Sequence, residues 1–200
     1  ANASGSSGAS SFNSLEPLQC LSRPVRVQSP QTQAKECEPV EYISRSDFLD
    51  EVHRARAEYD AILARIPEDR MTEPGVIGNW SVKDVIAHVM WSEREMVGVL
   101  KQRALVGSEL WALSQDERNA RTYEQERGRS LVDVRSEAET VYAELSRLVS
   151  ELTDDELNDP TNFAEMPPDW PPWQVLRGST FKHYREHAED LRTWWNAQQG

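Results

Sequence analysis

Of the four histidines in the chain, two stand in the segment HYREH, as His183 and His187. At that spacing on a helix the two imidazoles lie on one face, close enough to share an ion. With about 100° per residue they point the same way as Leu176, Thr180, Leu191 and Trp194, which places both rings in a helical core rather than in water. A buried polar group without a partner costs on the order of 1–3 kcal/mol, so each ring needs one. A metal ion satisfies both at once; carboxylates or backbone carbonyls are the alternative. His88 is the candidate third ligand, at the border of another apolar stripe and within a turn of Val85 and Trp91. His53, beside Val52, is a less favoured fourth. Three neutral imidazoles leave coordination positions open for water or a small-molecule substrate, as catalytic sites do, and they suit Zn, Ni or Fe better than Mg or Ca.

Other side chains stand near these histidines in sequence. Trp80 and Trp91 flank His88, while Trp170, Trp173, Trp194 and Trp195 surround the pair. They either line a pocket for an apolar or planar ligand or simply fill the core. Glu93, Glu95 and Glu186 are placed to accept a ring N–H from a ligand histidine, or else belong to a solvated face. Asn119 and Tyr123 are candidates to reach a ligand from a crossing segment. There is no Gly-rich phosphate loop and no Ser nucleophile motif, and both cysteines, Cys20 and Cys37, lie in the N-terminal segment. Covalent catalysis by a protein group is therefore not expected.

The elements that must position these residues read as helices. Ser44 and Asp47 form a capping pattern ahead of Phe48, Leu49, Val52, Tyr59, Ile62, Leu63 and Ile66, and Pro67 ends the run. Ser81 and Asp84 open a second helix, extending to about Val106, with Val82, Val85, Ile86, Val89, Met96, Val97 and Leu100 on one stripe. After a polar, poorly periodic stretch through Gly128, Ser130 and Asp133 open a third that ends near Thr153. A loop rich in proline leads to Pro171 and Pro172, which fit the first turn of the last helix. With no convincing strand between them, the expectation is an all-α fold, an antiparallel four-helix bundle over residues 43–200 with one longer crossing segment. Residues 1–42, rich in Ser, Gln, Asn, Gly and Pro, read as a disordered leader or an expression remnant.

The net charge is −12, and the first 40 residues contribute nothing to it because three basic side chains offset three acidic ones. An acidic folded part repels phosphate backbones and anionic lipid heads, so neither nucleic acid nor a membrane is an expected partner. No run is apolar enough to span a bilayer and no signal peptide is evident, so a cytoplasmic protein is expected, with a homodimer as an open possibility.

The stretches PGVIGNWSVKDVIAHVMWSERE, Pro74 to Glu95, and TFKHYREHAEDLRTW, Thr180 to Trp194, resemble the DinB-like superfamily of helical bundles. Together with NARTYEQERGRSLVDV and LTDDEL they are similar more narrowly to the ClbS/DfsB family, over about Phe48 to Trp195. The resemblance implies a bundle in which one histidine of the second helix and two of the last bind a divalent metal, at positions matching His88, His183 and His187. It further implies a metal-dependent hydrolase or a transferase using a low-molecular-weight thiol; the alternative is a non-catalytic or metal-free ligand-binding or self-resistance protein of the ClbS/DfsB type.

Overall fold

The computed structural model describes residues 42–200. The disordered leader expected over residues 1–42, Cys20 and Cys37 included, falls almost wholly outside them. Along the described chain run α1 (Arg45–Leu63), β1 (Pro74–Ile77), β2 (Trp80–Ser81), α2 (Val82–Gln102), α3 (Gln115–Glu126), α4 (Leu131–Ser150), α5 (Asp154–Asn158), α6 (Pro172–Gly178) and α7 (Phe181–Ala197). Single 3₁₀ turns sit at Glu68–Arg70, Glu109–Ala112 and Pro160–Asn162. None of the described helices is long and apolar enough to cross a membrane.

The all-α four-helix bundle is built from α1, α2, α4 and α7, with α1 lying along α7 and α2 along α4. Cross-helix contacts fix the directions. Glu51 meets Arg185 and Arg70 meets Gln198, so α1 and α7 run the same way. Arg94 meets Glu137 and Lys101 meets Glu144, so α2 and α4 do too. Each pair runs against the other, because Arg45 at the start of α1 meets Ser150 at the end of α4 while Arg56, later in α1, lies over Tyr142, earlier in α4. Parallel neighbours cannot be joined by a tight turn. The chain between α2 and α4 must return the length of the bundle, which is the longer crossing segment the sequence calls for, and α3 lies in it.

The helix ends follow local chemistry. Ser81 accepts the N–H of Asp84 while the Asp84 carboxylate accepts the N–H of Ser81, a complete capping box that fixes where α2 begins and hence where His88 points. Ser81→Ala should therefore cost about 0.5–2 kcal/mol in a urea titration, with an unchanged m-value. At the other end Arg103 takes a left-handed conformation, φ 50°, and terminates α2 at Gln102 rather than near Val106. The residues beyond it pair instead with Ala164, through Leu105 N–H at 2.8 Å to its carbonyl. α1 ends at Leu63, four residues before Pro67, and its last carbonyls are taken by tighter i to i+3 bonds, from Arg65 N–H to Ile62 and from Ile66 N–H to Leu63.

Three features depart from the expected helices. A short antiparallel hairpin, β1 to β2, precedes α2, turning at Gly78 in a left-handed conformation that a side chain resists. The polar crossing segment contains a true helix, α3. The last helix is broken at Ser179 and Thr180 into α6 and α7, because Gly178 weakens the helix interior and the Thr180 hydroxyl bonds back to the Leu176 carbonyl at 2.8 Å.

The core fills the space between the four long helices. α2 is its centre, buried on nearly every turn from Val82 to Leu100. Phe48, Tyr59, Leu145, Leu191 and Tyr184 close on it from α1, α4 and α7.

Candidate metal centre

The break before α7 places His183 in that helix's first turn and His187 one turn later, both on the side facing α2. The capping box of α2 sets His88 opposite them. The Nε2 atoms of His88 and His183 lie 3.0 Å apart, and those of His183 and His187 also 3.0 Å. Ligand atoms of all three rings fall within 4.8 Å of one another. The rings stand edge to face, with centroids 4.6 to 5.1 Å apart. They therefore converge by their nitrogen edges rather than stacking.

Burial decides the protonation of this cluster. It pushes His88 down to about 3, helped by the neighbouring His187 and by Arg118, and it pushes His183 well below the ordinary histidine range, with His187 and His88 adding to the effect. His187 is lowered too, again by burial, against an opposing pull from Asp190. Neutral imidazoles are the form that donates a lone pair to a metal. Among the described residues, this is the group of histidines, cysteines and carboxylates whose chemistry fits a divalent transition ion.

The surroundings of each ring differ. His187 Nδ1 lies 3.0 Å from the Asp190 carboxylate, the contact that fixes a ligand ring and its tautomer. Nδ1 of His88 and of His183 are buried and have no partner. On one side the Trp80 ring lies 5.1 Å from His88 and stacks, nearly parallel, on Tyr123 at 6.0 Å. Trp80, Tyr123, Thr122, Glu126 and Asp84 line a crevice against His88 that is too narrow for a water molecule.

Residues 51–193 match the family model of the DinB superfamily. The chain belongs to that superfamily. Solved structures carry the same fold at low identity. An uncharacterised protein from Escherichia coli UTI89 superposes with a TM-score of 0.65 at 16% identity, over 78% of this chain and 95% of that one. A protein described as Sibling Lethal Factor Precursor, DfsB, gives 0.65 at 14% over 79% and 98%. The colibactin self-resistance protein ClbS, solved in complex with double-stranded DNA, gives 0.61 at 12% over 75% and 94%. No curated protein matches the chain in sequence.

Within this DinB bundle the three histidines singled out by sequence come together, and His53 does not join them. Its Nε2 lies 2.9 Å from the Ser146 hydroxyl on the exposed face. Trp80 and Tyr123 reach the cluster, but Asn119 is not among the residues lining the crevice. Trp173 and Trp194 belong to the core, and Trp91 is buried as well. None of the three glutamates offered as a ring partner takes that role. Glu93 bonds Arg56 and Tyr184, Glu95 accepts the N–H of Ser108, and Glu186 faces Lys182. Asp190 does so instead, three residues beyond His187 and so one turn along the same helix face.

Proposed function

We propose that this chain is a metal-dependent enzyme that holds a divalent transition ion, Zn, Ni or Fe, on His88, His183 and His187, and that hydrolyses a small electrophilic substrate or transfers a low-molecular-weight thiol to it. The observation that carries the reading is the convergence of three imidazoles from two helices, each held neutral by burial, with ligand nitrogens within 4.8 Å of one another. A bound ion would supply Lewis acidity and acidify a water or thiol in its open positions. The chain's own residues do the rest. Asp190 accepts the Nδ1 proton of His187 and so aims its Nε2 lone pair at the other two rings. Trp80 and Tyr123 shield one flank from water and offer an aromatic surface to an apolar or planar substrate. A net charge of −12 opposes a phosphate backbone such as that of the double-stranded DNA present with ClbS.

The test is elemental analysis of the purified full chain after reconstitution with each metal and dialysis without chelator. About one equivalent of one of these ions is expected. No retained metal would overturn the enzyme reading.

One observation favours a second reading, that of a metal-free binding or self-protection protein. Metal-bound imidazoles normally donate their other N–H, and two of the three here have no acceptor. His88→Ala separates the readings: it abolishes turnover in the first and leaves ligand affinity largely unchanged in the second.

A further inference from the structure

A cleft of about 260 Å³ opens where α1, α2 and α4 part, and none of the three clustered histidines lines it. Its α2 wall includes Glu93, five residues beyond His88 and thus about 140° around the helix. The floor is apolar, made by Ile86, Val89, Met90 and Ala138, all buried. Its rim carries the exposed Asp60, Ala64 and Glu139.

The charges around this cleft are unevenly matched. Arg56 donates to Asp60 at 2.9 Å and to Glu93 at 3.0 Å, and its guanidinium lies 4.2 Å from the centre of the Tyr142 ring. Its charge is therefore already answered. Arg135 makes no ion pair among the described residues and reaches the Met71 sulfur at 2.9 Å, while at the buried end of the cleft Glu93 Oε2 and Tyr59 Oη have no partner, although both side chains are 0–1% exposed. Two arginines line the cleft, Arg56 and Arg135, against three carboxylates, Asp60, Glu93 and Glu139. With Glu93 ionised, the lining carries one more negative group than positive.

We propose that this cleft binds a small primary amine, its ammonium group turned to Glu93 and Tyr59 and its apolar body laid along Ile86, Val89, Met90 and Ala138. An ammonium brings three donors to a wall with unanswered acceptors and supplies the missing positive charge. A carboxylate brings acceptors alone, which Glu93 Oε2 cannot use, and an alcohol supplies one donor and no charge. Burial pushes Glu93 up to about 7 even with Arg56 beside it, so a second cation would favour its ionised form. The site is separate from the histidine cluster and stands whether or not that cluster holds a metal.

The test uses the metal-free full chain with n-hexylamine as probe and 1-hexanol and hexanoate as controls, read by calorimetric titration and by amide chemical shifts. The amine should bind with shifts at Met90 and Ala138, and each control at least tenfold more weakly. Glu93→Gln should weaken the amine at least tenfold. Should that buried variant not fold, Ala64→Trp, on the exposed rim, blocks the mouth and should abolish binding. His183→Ala/His187→Ala should leave amine binding unchanged. Equal binding of hexanol, no amine binding at millimolar concentration, indifference to Ala64→Trp, or loss of binding in the double histidine variant would each overturn the proposal.

Discussion

The His183→Ala/His187→Ala protein, dialysed without chelator beside wild type, is expected to retain no metal where wild type holds about one equivalent, while its circular dichroism is unchanged. The loss should be complete because α7 supplies two of the three nitrogens, and His88 alone is an ordinary monodentate imidazole. The fold should survive because other side chains hold α7 in the bundle. Phe181 packs edge-on against Phe48 with centroids 5.4 Å apart, and Tyr184, Ala188, Leu191 and Trp194 are buried. Removing two imidazoles also relieves the burial of polar groups, which offsets part of the packing lost. The metal-free variant should therefore lie within about 2 kcal/mol of metal-free wild type in a urea titration. Metal retained by the variant would place the ion elsewhere in the chain.

How much of this arrangement is legible in the sequence depends on what kind of signal each part leaves. α1, α4 and α7 each bury one stripe and α2 is buried nearly all round, so apolar residues at helical spacing find them and, with the HYREH spacing, find which way His183 and His187 face. The helix α3 leaves no stripe. Only Thr122 and Glu126 of it are buried, and its sequence, QDERNARTYEQE, is polar all round. Its one local signal is the capping box of Ser114 and Glu117, the same pattern that announces α2. The hairpin is too short to alternate, yet Gly78-Asn79 between Ile77 and Trp80 is a turn signature. The direction of the helices is not a local property at all. It emerges from pairs such as Arg94 with Glu137, which no periodicity rule connects.

The same division separates two buried polar systems that share α2 and α7. His88 faces His183 and His187, while Glu93 faces Tyr184, the residue next to His183 in sequence. The histidines were legible because few other residue types behave as they do in a core. Glu93 reads in the sequence as a candidate ring partner or a solvated acid, because its actual partner Arg56 lies 37 positions away on α1 and leaves no local signal. Both systems bury groups that water would otherwise solvate, and each is tolerable only while its partners stay in place.

Glu93→Ala is expected to destabilise the protein by about 3–5 kcal/mol, since it leaves Arg56 largely buried with only the half-exposed Asp60 to answer its charge. Glu93→Gln keeps the shape and should cost less, and it exposes a second effect through pH. Burial raises Glu93 from 4.5 to about 7, so the stability it contributes is present below pH 4.5 and is lost as pH rises through about 7. His88 is lowered from 6.5 to about 3, so the unfolded chain takes up its proton first and stability is lost as pH falls from 6.5 toward 3. His183 and His187 are shifted the same way. In the metal-free protein these slopes oppose each other between pH 4.5 and 6.5. Taking Glu93 out of the balance should make the unfolding free energy of Glu93→Gln climb more steeply with pH across that window than that of wild type. Taking out two histidines should make it climb less steeply. Urea titrations at half-unit pH steps on the chelator-treated proteins measure both, and curves that run parallel for all three would show that neither buried system titrates as its burial demands.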